Sequence, residues 1–128
     1  MSDEFHPPVG SIGWCDLTVP KADTVRDFYR DAIGWTVSEV DMGGYADYCM
    51  NQPAAGSPAA GVCWQRGVNE GLPPVWLVYF VVASLADSLI KVREHGGSVL
   101  RESVPGGQGR YAVVKDPSGA ICALFEPA

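Results

Sequence analysis

A short stretch near the start of the chain alternates between apolar and polar positions with a period of two. From Ser11 to Val19, one side carries Cys15, Leu17 and Val19, and the other side carries Trp14, Asp16 and Thr18. A period of two predicts a half-buried strand. Pro20 and Lys21 end this pattern.

The period then changes to that of a helix. The apolar residues Val25, Phe28, Tyr29, Ala32 and Ile33 recur at spacings of three and four, which predicts one apolar helix face. Asp23 is the expected N-cap of this helix, because its carboxylate can accept from an unpaired amide of the first turn. Gly34 is the expected end, because glycine tolerates the left-handed conformation that stops a helix.

The second half repeats this design. The apolar run 75–83 predicts a buried strand, and Ser84 with Asp87 three residues later predicts a capped helix start. Leu85, Leu89 and Val92 form the apolar stripe of this helix, and Gly96–Gly97 ends it. The other predicted strands are 35–40, 45–50, 61–65, 98–102, 110–115 and 120–125, with loops at 53–60 and 104–109 and a tight turn at 116–119.

The order of elements predicts two copies of one β-α-β-β-β module. Trp14 and Trp76 are 62 residues apart, as are Gly34 and Gly96, and this offset also matches Leu17 with Tyr79. We therefore expect an α+β fold in one domain, because a single module cannot bury its sheet alone. The predicted boundaries are an N-terminal arm at 1–10, a first module at 11–65, a linker at 66–74 and a second module at 75–128.

Composition and charge exclude several classes of function. The 128 residues include 15 acidic and 9 basic side chains, so the chain lacks the basic surface that nucleic-acid binding requires. The longest apolar run is too short to span a membrane, and the first residues do not resemble a signal peptide. The cysteines at 15, 49, 63 and 122 lack metal-site spacing, so we expect reduced thiols in a cytoplasmic protein, with disulfides as the alternative.

Three short motifs carry a resemblance to a known family. They are Asp27-Phe28-Tyr29 leading to Gly34-Trp35, then Glu94-His95-Gly96-Gly97, then Asp116-Pro117-Ser118-Gly119-Ala120. In this order and spacing, the chain resembles the vicinal oxygen chelate superfamily of glyoxalases, bleomycin-resistance proteins and extradiol dioxygenases. The resemblance implies two modules whose curled mixed sheets form a cup, and it also implies a homodimer.

The resemblance further implies where a metal would be held. Metal-using members of the family place a histidine or glutamate on each of four cup strands. The matching positions here are Trp14, Leu77 (or Trp76, if the count slips by one), Ala123 and a position near Cys63. Only Cys63 can coordinate a metal, and one thiolate does not make a metal site. We therefore expect no cofactor, with a divalent metal as the open alternative.

Strand alternation predicts which side chains line the cup. The first strand contributes Trp14, Asp16 and Thr18. The second module contributes Leu77, Tyr79, Ala123, Phe125 and Arg110, with Arg110 opposite Phe125 if the last hairpin has a four-residue turn. Tyr48 and Trp64 complete the predicted set. The pocket is mainly apolar and aromatic, and it suits a small organic ligand.

Three functions are consistent with these residues. The first is metal-free binding or sequestration of a small organic molecule. The second is a metal-independent lyase or isomerase that acts on a small oxygenated metabolite, with Asp16 as the acid-base group. The third is a module without a ligand, in which the aromatic side chains fill the cup as core. His6 lies in the predicted arm and His95 at the end of a predicted helix, so the two do not predict a ligand pair.

Overall fold

The computed structural model describes residues 7–128, so His6 and most of the predicted arm lie outside the described residues. Its elements, in chain order, are β1 (Ile12–Val19), α1 (Ala22–Ile33), β2 (Thr36–Asp41), β3 (Ala46–Asn51), β4 (Pro58–Trp64), a 3-10 turn (Gly67–Asn69), β5 (Trp76–Val81), α2 (Leu85–Glu94), β6 (Ser98–Gly106), β7 (Gly109–Lys115) and β8 (Ile121–Pro127).

The described chain divides into two units. One comprises residues 15–76, and the other comprises residues 77–128 together with residues 7–14. The division falls within β1, close to the middle of that strand. The module and linker boundaries drawn from the sequence stay a prediction.

In the unit of residues 15–76, the strands lie in the order β2-β3-β4-β1. β1 runs parallel to β4, and the pairs β2–β3 and β3–β4 are antiparallel. The hairpin between β2 and β3 turns at Gly43 and Gly44, which both have positive φ as the sequence pattern requires.

Helix α1 differs from its prediction at both its cap and its buried face. Its N-cap is Lys21, whose side chain makes no capping hydrogen bond, and Asp23 lies inside the first turn and accepts from the amide of Thr24. Phe28 and Ile33 are exposed, whereas Val25 and Tyr29 pack against the buried residues of the core. The end at Gly34 is confirmed, with φ of 91°.

The core of this unit lies between α1 and its sheet. Strand alternation brings to this side the buried residues Leu17, Val19, Ala22, Tyr48, Met50 and Val62, with Val25, Tyr29, Trp35, Val37, Trp64 and Trp76 packed around them. Three of the aromatic rings cluster: Tyr29 lies 5.0 Å from Trp76 and 6.3 Å from Trp35. The indole nitrogen of Trp76 donates to the Tyr29 hydroxyl at 3.1 Å.

The second unit repeats the arrangement, with strands in the order β5-β8-β7-β6. β5 runs parallel to β8, and the other two pairs are antiparallel. Helix α2 is capped as predicted, since the Ser84 hydroxyl accepts from the amide of Asp87 at 3.2 Å. The Glu126 carboxylate accepts a second hydrogen bond, from the amide of Leu85 at 2.6 Å. Two amides at the helix start therefore have acceptors.

The core beneath α2 consists of the buried residues Leu85, Leu89, Ala112 and Val114, with Val82, Val92, Val99, Cys122 and Leu124 around them. The α+β fold of two β-α-β-β-β modules with mixed sheets is therefore confirmed. The predicted match of Leu17 with Tyr79 is wrong by one residue. Leu17 pairs with Val62 on the α1 side of the first sheet. Phe80, which is exposed, pairs with Leu124 on the α2 side of the second sheet.

Three segments differ from the sequence pattern. β4 begins at Pro58, inside the predicted loop 53–60. β6 continues to Gly106 through two register shifts, so the predicted loop 104–109 shrinks to a tight turn. The predicted linker 66–74 holds a 3-10 turn, and Leu72 is buried there.

Candidate functional site

The sheet side opposite α1 carries polar side chains, in contrast to the core side. We call it the first far face, defined by Asp16 and Thr18 of β1, Asp47 and Cys49 of β3, and Cys63 of β4. These positions alternate with the core residues on each strand. Thr18 is 4% exposed and Asp47 is 5% exposed, so two polar groups of this face are buried.

Asp47 and Cys63 form the centre of this face. The Asp47 carboxylate accepts from the amide of Trp64 at 2.8 Å, and the Cys63 thiol hydrogen-bonds to it as well. Burial raises the pKa of Asp47, although these hydrogen bonds and the charge of Arg66 oppose the shift. Asp47 therefore holds its proton more tightly than an ordinary aspartate.

The Cys63 thiol is strongly held in its neutral form. Burial is the main cause that raises its pKa, and the charges of Asp16 and Asp47 and the hydrogen bond that the thiol donates to Asp47 add to it. Asp16 therefore lies near enough to Cys63 to act on it. Thr18 is the cross-strand neighbour of Cys63. Trp14, two residues before Asp16 on β1, is partly buried.

Tyr48 and Trp64 do not lie on this face, in contrast to their predicted place. Both pack into the core beneath α1, and the Arg26 guanidinium lies 4.6 Å above the Tyr48 ring. Alternation explains the correction, because Tyr48 shares its side of β3 with the buried Met50. Asp47 takes the far-face position instead, and the apolar residues on either side of it were the signal in the sequence.

The corresponding side of the second sheet, opposite α2, is mainly apolar and aromatic. We call it the second far face, defined by Leu77, Tyr79 and Val81 of β5, Ala123 and Phe125 of β8, and Tyr111 and Val113 of β7. The register pairs Tyr79 with Ala123 and Val81 with Phe125. The predicted positions of Leu77, Tyr79, Ala123 and Phe125 thus come together on one face.

Arg110 is not part of this face, so its predicted place is wrong. The turn after β7 has five residues, because the amide of Asp116 donates to the carbonyl of Ala120 and pairing resumes at Ile121. This register puts Tyr111 opposite Phe125 and turns Arg110 to the other side. The Arg110 guanidinium donates to the Ser103 hydroxyl at 2.6 Å.

Two glycines of the β6–β7 hairpin, Gly106 and Gly109, lie against two aromatic rings of the second far face. A Cβ on Gly106 would lie 2.7 Å from the Tyr111 ring, and one on Gly109 would lie 2.9 Å from the tip of Phe125. Only glycine leaves room for the rings at these positions. The Tyr111 ring also contacts that of Tyr79, with centroids 5.5 Å apart.

The residues present do not fit the metal that the family resemblance implies. Trp14, Leu77 and Ala123 have no metal-binding atoms, and the raised pKa of Cys63 disfavours the thiolate that a metal requires. Among residues 7–128, histidine, cysteine and acidic side chains form no group of three that could hold an ion.

A shallow groove of about 500 Å³ lies beside α2, on the other side of the second sheet. Its floor is apolar, and Ser84, Asp87, Ser88 and Lys91 lie along its edge.

No helix within residues 7–128 is long and apolar enough to cross a membrane. The described residues include all four cysteines, and each of them is a free thiol.

Comparison with known proteins gives one family. The family model of the Glyoxalase/Bleomycin resistance protein/Dioxygenase superfamily matches residues 11–123. "Putative glyoxylase CFP32" of Mycobacterium tuberculosis is 32% identical over 121 residues, which are 93% of this chain and 45% of that protein. "Anthracycline biosynthesis protein DnrV" of Streptomyces peucetius is 32% identical over 91% of this chain and 42% of its own length. The chain thus spans less than half the length of these relatives.

Solved structures share the fold at low sequence identity. Methylmalonyl-CoA epimerase from Mycobacterium tuberculosis superimposes with a TM-score of 0.58 at 17% identity, covering 100% of this chain and 93% of that one. The hypothetical protein BH1468 from Bacillus halodurans has a TM-score of 0.59 at 14% identity, covering 92% and 94%.

Proposed function

The chain belongs to the glyoxalase/bleomycin resistance protein/dioxygenase superfamily, and on this premise we propose that it binds a small organic molecule, without a metal, and sequesters it. The observation that carries the proposal is the first far face. Burying a carboxylate costs free energy unless it is hydrogen-bonded, and Asp47 meets this condition through the amide of Trp64 and the thiol of Cys63. Asp47 thus anchors a polar face on which Asp16 and Thr18 supply hydrogen-bonding groups for a ligand, and Trp14 supplies an apolar ring.

The metal-free part of the proposal rests on the donor set. The side chains at the four positions that the resemblance implies include only one donor, and that donor is a thiol held neutral. Binding therefore depends on aromatic contact and on hydrogen bonds to Asp16 and Thr18. Metal analysis of protein purified without chelators tests this, and a stoichiometric divalent ion would contradict it.

A ligand screen by thermal shift tests the binding itself. We expect hits that raise the Tm of the wild type and raise it less in Trp14→Ala and Asp16→Asn. Asp23→Asn is the matched control, because Asp23 is exposed on α1 and the side-chain oxygen of the asparagine can still accept from the amide of Thr24. Hits that respond equally in all four proteins would refute the assignment of the first far face.

An isomerase or lyase that uses Asp16 is the second candidate. Its support is the charge of Asp16, which acts on the buried thiol of Cys63 and so lies on the same face. Turnover of a bound hit by the wild type, lost in Asp16→Asn while binding persists, would favour the enzyme over simple sequestration.

We propose further that the protein forms a homodimer in the cytoplasm. The exposed apolar side chains Phe28 and Ile33 on α1 support a partner subunit. The four free thiols support a reducing compartment.

A further inference from the structure

Strand β2 is the outer strand of the first sheet. It pairs with β3 on one side, and no strand within residues 7–128 pairs with it on the other. Five of its six residues are exposed. An edge strand leaves a row of backbone amides and carbonyls unpaired, and an extended chain can bind to that row.

The hydrogen bonds to β3 decide which residues of β2 face outward. The amide of Met42, just after the strand, donates to the carbonyl of Tyr45 at 2.8 Å, so these two residues are a hydrogen-bonded pair. Hydrogen-bonded and non-hydrogen-bonded pairs alternate along an antiparallel ladder. The even-numbered residues of β2 therefore bond to β3, whereas the amides and carbonyls of Val37, Glu39 and Asp41 point away from it.

β2 lacks the irregularities that protect many edge strands from pairing. Its register with β3 is unbroken from Thr36 to Asp41, and the strand contains no proline. β6, the outer strand of the second sheet, differs in both respects, because it has two register shifts and Pro105. Bulges and proline twist or block an edge. β2 is therefore the more regular of the two edges and the one suited to a further strand.

The acidic side chains of β2 indicate which partner this edge fits. Val37 packs into the core beneath α1, so Glu39 and Asp41 lie on the same side of the sheet by alternation. Glu39 is in no ion pair within the described part of the chain, and the Arg26 guanidinium on this side pairs with Asp27. Opposite charges across a ladder stabilise it, whereas like charges destabilise it. The edge therefore favours a basic strand over a second copy of β2.

The other side of this edge is apolar at Val40, which is 45% exposed. Val40 lies between Glu39 and Asp41 in the strand, so its side chain points to the opposite side of the sheet. A partner with a β-branched residue between two basic ones has the matching alternation, since β-branched side chains fit a pleated, half-buried surface.

We propose that β2 binds an extended basic segment of a partner protein, which adds to the sheet as a further strand. Its lysine or arginine side chains lie beside Glu39 and Asp41, and a β-branched residue lies beside Val40. Hydrogen bonds to the outward amides and carbonyls supply affinity, and the side chains supply specificity. The inference goes beyond the proposed small-molecule binding, because none of the residues that define the first far face takes part.

Fluorescence polarisation with a labelled peptide of sequence Lys-Val-Lys-Thr-Val tests the pairing. Saturable binding to the wild type is expected. Glu39→Pro is expected to weaken it about tenfold, because proline removes one outward amide and leaves the hydrogen bonds to β3 in place. Wild-type affinity in Glu39→Pro, or no binding to the wild type, overturns the proposal.

A second variant covers the case in which Glu39→Pro does not fold. Glu39→Lys keeps the amide and reverses the charge. It is expected to weaken binding of this peptide and to tighten binding of Glu-Val-Glu-Thr-Val, each about threefold. Glu94→Lys makes the same change at an exposed position of α2 and is expected to leave both affinities unchanged. Equal responses in the two variants would show that net charge governs binding, and they would refute the proposal.

Hydrogen exchange measured by NMR locates the peptide on the protein. The peptide is expected to slow exchange of the amides of Val37, Glu39 and Asp41, and protection of β6 or of the helices instead refutes the proposal. A fall in the mass of the peptide-free protein in Glu39→Pro, measured by light scattering, would show that a second copy occupies the edge and would overturn the basic partner. Loss of all ligand hits in the separate thermal-shift screen would refute the proposed function and leave this inference standing.

Discussion

Asp47 shows how a single buried residue sets the pH dependence of stability. Burial raises its pKa in the folded state, so the folded protein binds its proton more tightly than the unfolded chain does. The resulting stabilisation is present below the unfolded pKa near 4 and is lost as the pH rises through the folded value. As the pH rises toward neutral, the wild type therefore loses the stability that the bound proton supplies at low pH.

We predict that Asp47→Asn raises the Tm at pH 7. The amide stays neutral, and its oxygen can still accept from Trp64. The gain in Tm over the wild type is expected to shrink as the pH falls from 7 to 4, as measured by calorimetry. Asp31→Asn is the control, because Asp31 is exposed. A gain that does not change with pH would contradict the assigned cause.

Cys63 is predicted to react slowly with alkylating reagents. Only the thiolate reacts, and burial together with two nearby carboxylates suppresses it. Mass spectrometry of iodoacetamide-treated protein at pH 8 is expected to find Cys63 the least modified of the four cysteines. Cys63→Ser serves to identify its peptide. Rapid labelling of Cys63 in the folded protein would contradict the suppression of its thiolate.

At this scale, alternation within a strand was predictable and register was not. Asp16, Thr18, Leu77, Tyr79, Ala123 and Phe125 lie on the sides that the sequence indicated. Arg110 was misplaced because one extra residue in the following turn reverses the whole strand. No local pattern in Asp116–Ala120 distinguishes a four-residue turn from a five-residue one.

Among the elements, the two helices differ in how they begin. α2 is capped by Ser84, whereas the side chain of Lys21 at the start of α1 makes no capping hydrogen bond. The sequence pattern predicted the start of α2 correctly, because Ser84 and Asp87 have capping-box spacing. The prediction that Asp23 is the N-cap of α1 was wrong, because an acidic residue near a helix start can lie at the cap or within the first turn.

We predict that Ser84→Ala lowers the free energy of unfolding by about 1 kcal/mol, since an amide of the first turn loses its acceptor. Urea denaturation measures the change. Ser88→Ala, in the interior of α2, is the matched control and is expected to have a smaller effect. Equal losses in both variants would show that the cap of Ser84 contributes nothing of its own.

The aromatic cluster beneath α1 gives a test of coupling between elements. Trp76→Phe and Tyr29→Phe each remove the same hydrogen bond, from the indole to the hydroxyl. A double-mutant cycle is expected to give a coupling energy of about 1 kcal/mol. Tyr45→Phe with Trp76→Phe is the control pair, because Tyr45 contacts Arg66 rather than the cluster. Purely additive losses in the first pair would contradict the hydrogen bond.

For the whole molecule, we predict a dimer in solution. Phe28 is 62% exposed and Ile33 is 53% exposed on α1, and covering such side chains favours association. Light scattering after size-exclusion chromatography is expected to give twice the chain mass, and Phe28→Glu is expected to shift it toward the monomer. Ile90→Glu on α2, also exposed, is the comparison. A monomer at every concentration would refute this prediction.

The repeated order of elements was predictable at this scale, because the same sequence of strand pattern, helix pattern and glycine stop occurs in both halves. The match between the copies was predictable only to within one residue, since the strands β1 and β5 are offset by one more residue than the sequence count gave. The identity of a ligand was not predictable, because it depends on where side chains such as Asp47 and Tyr111 meet in space.

The place of Trp76 bears on how this chain can be divided. Its ring packs with Tyr29 and Trp35, although it is the first residue of β5. A gene fragment cut at the polar stretch before it would encode the first module without one wall of its core. Dissection of this protein into halves should therefore keep the tryptophan with the residues that precede it.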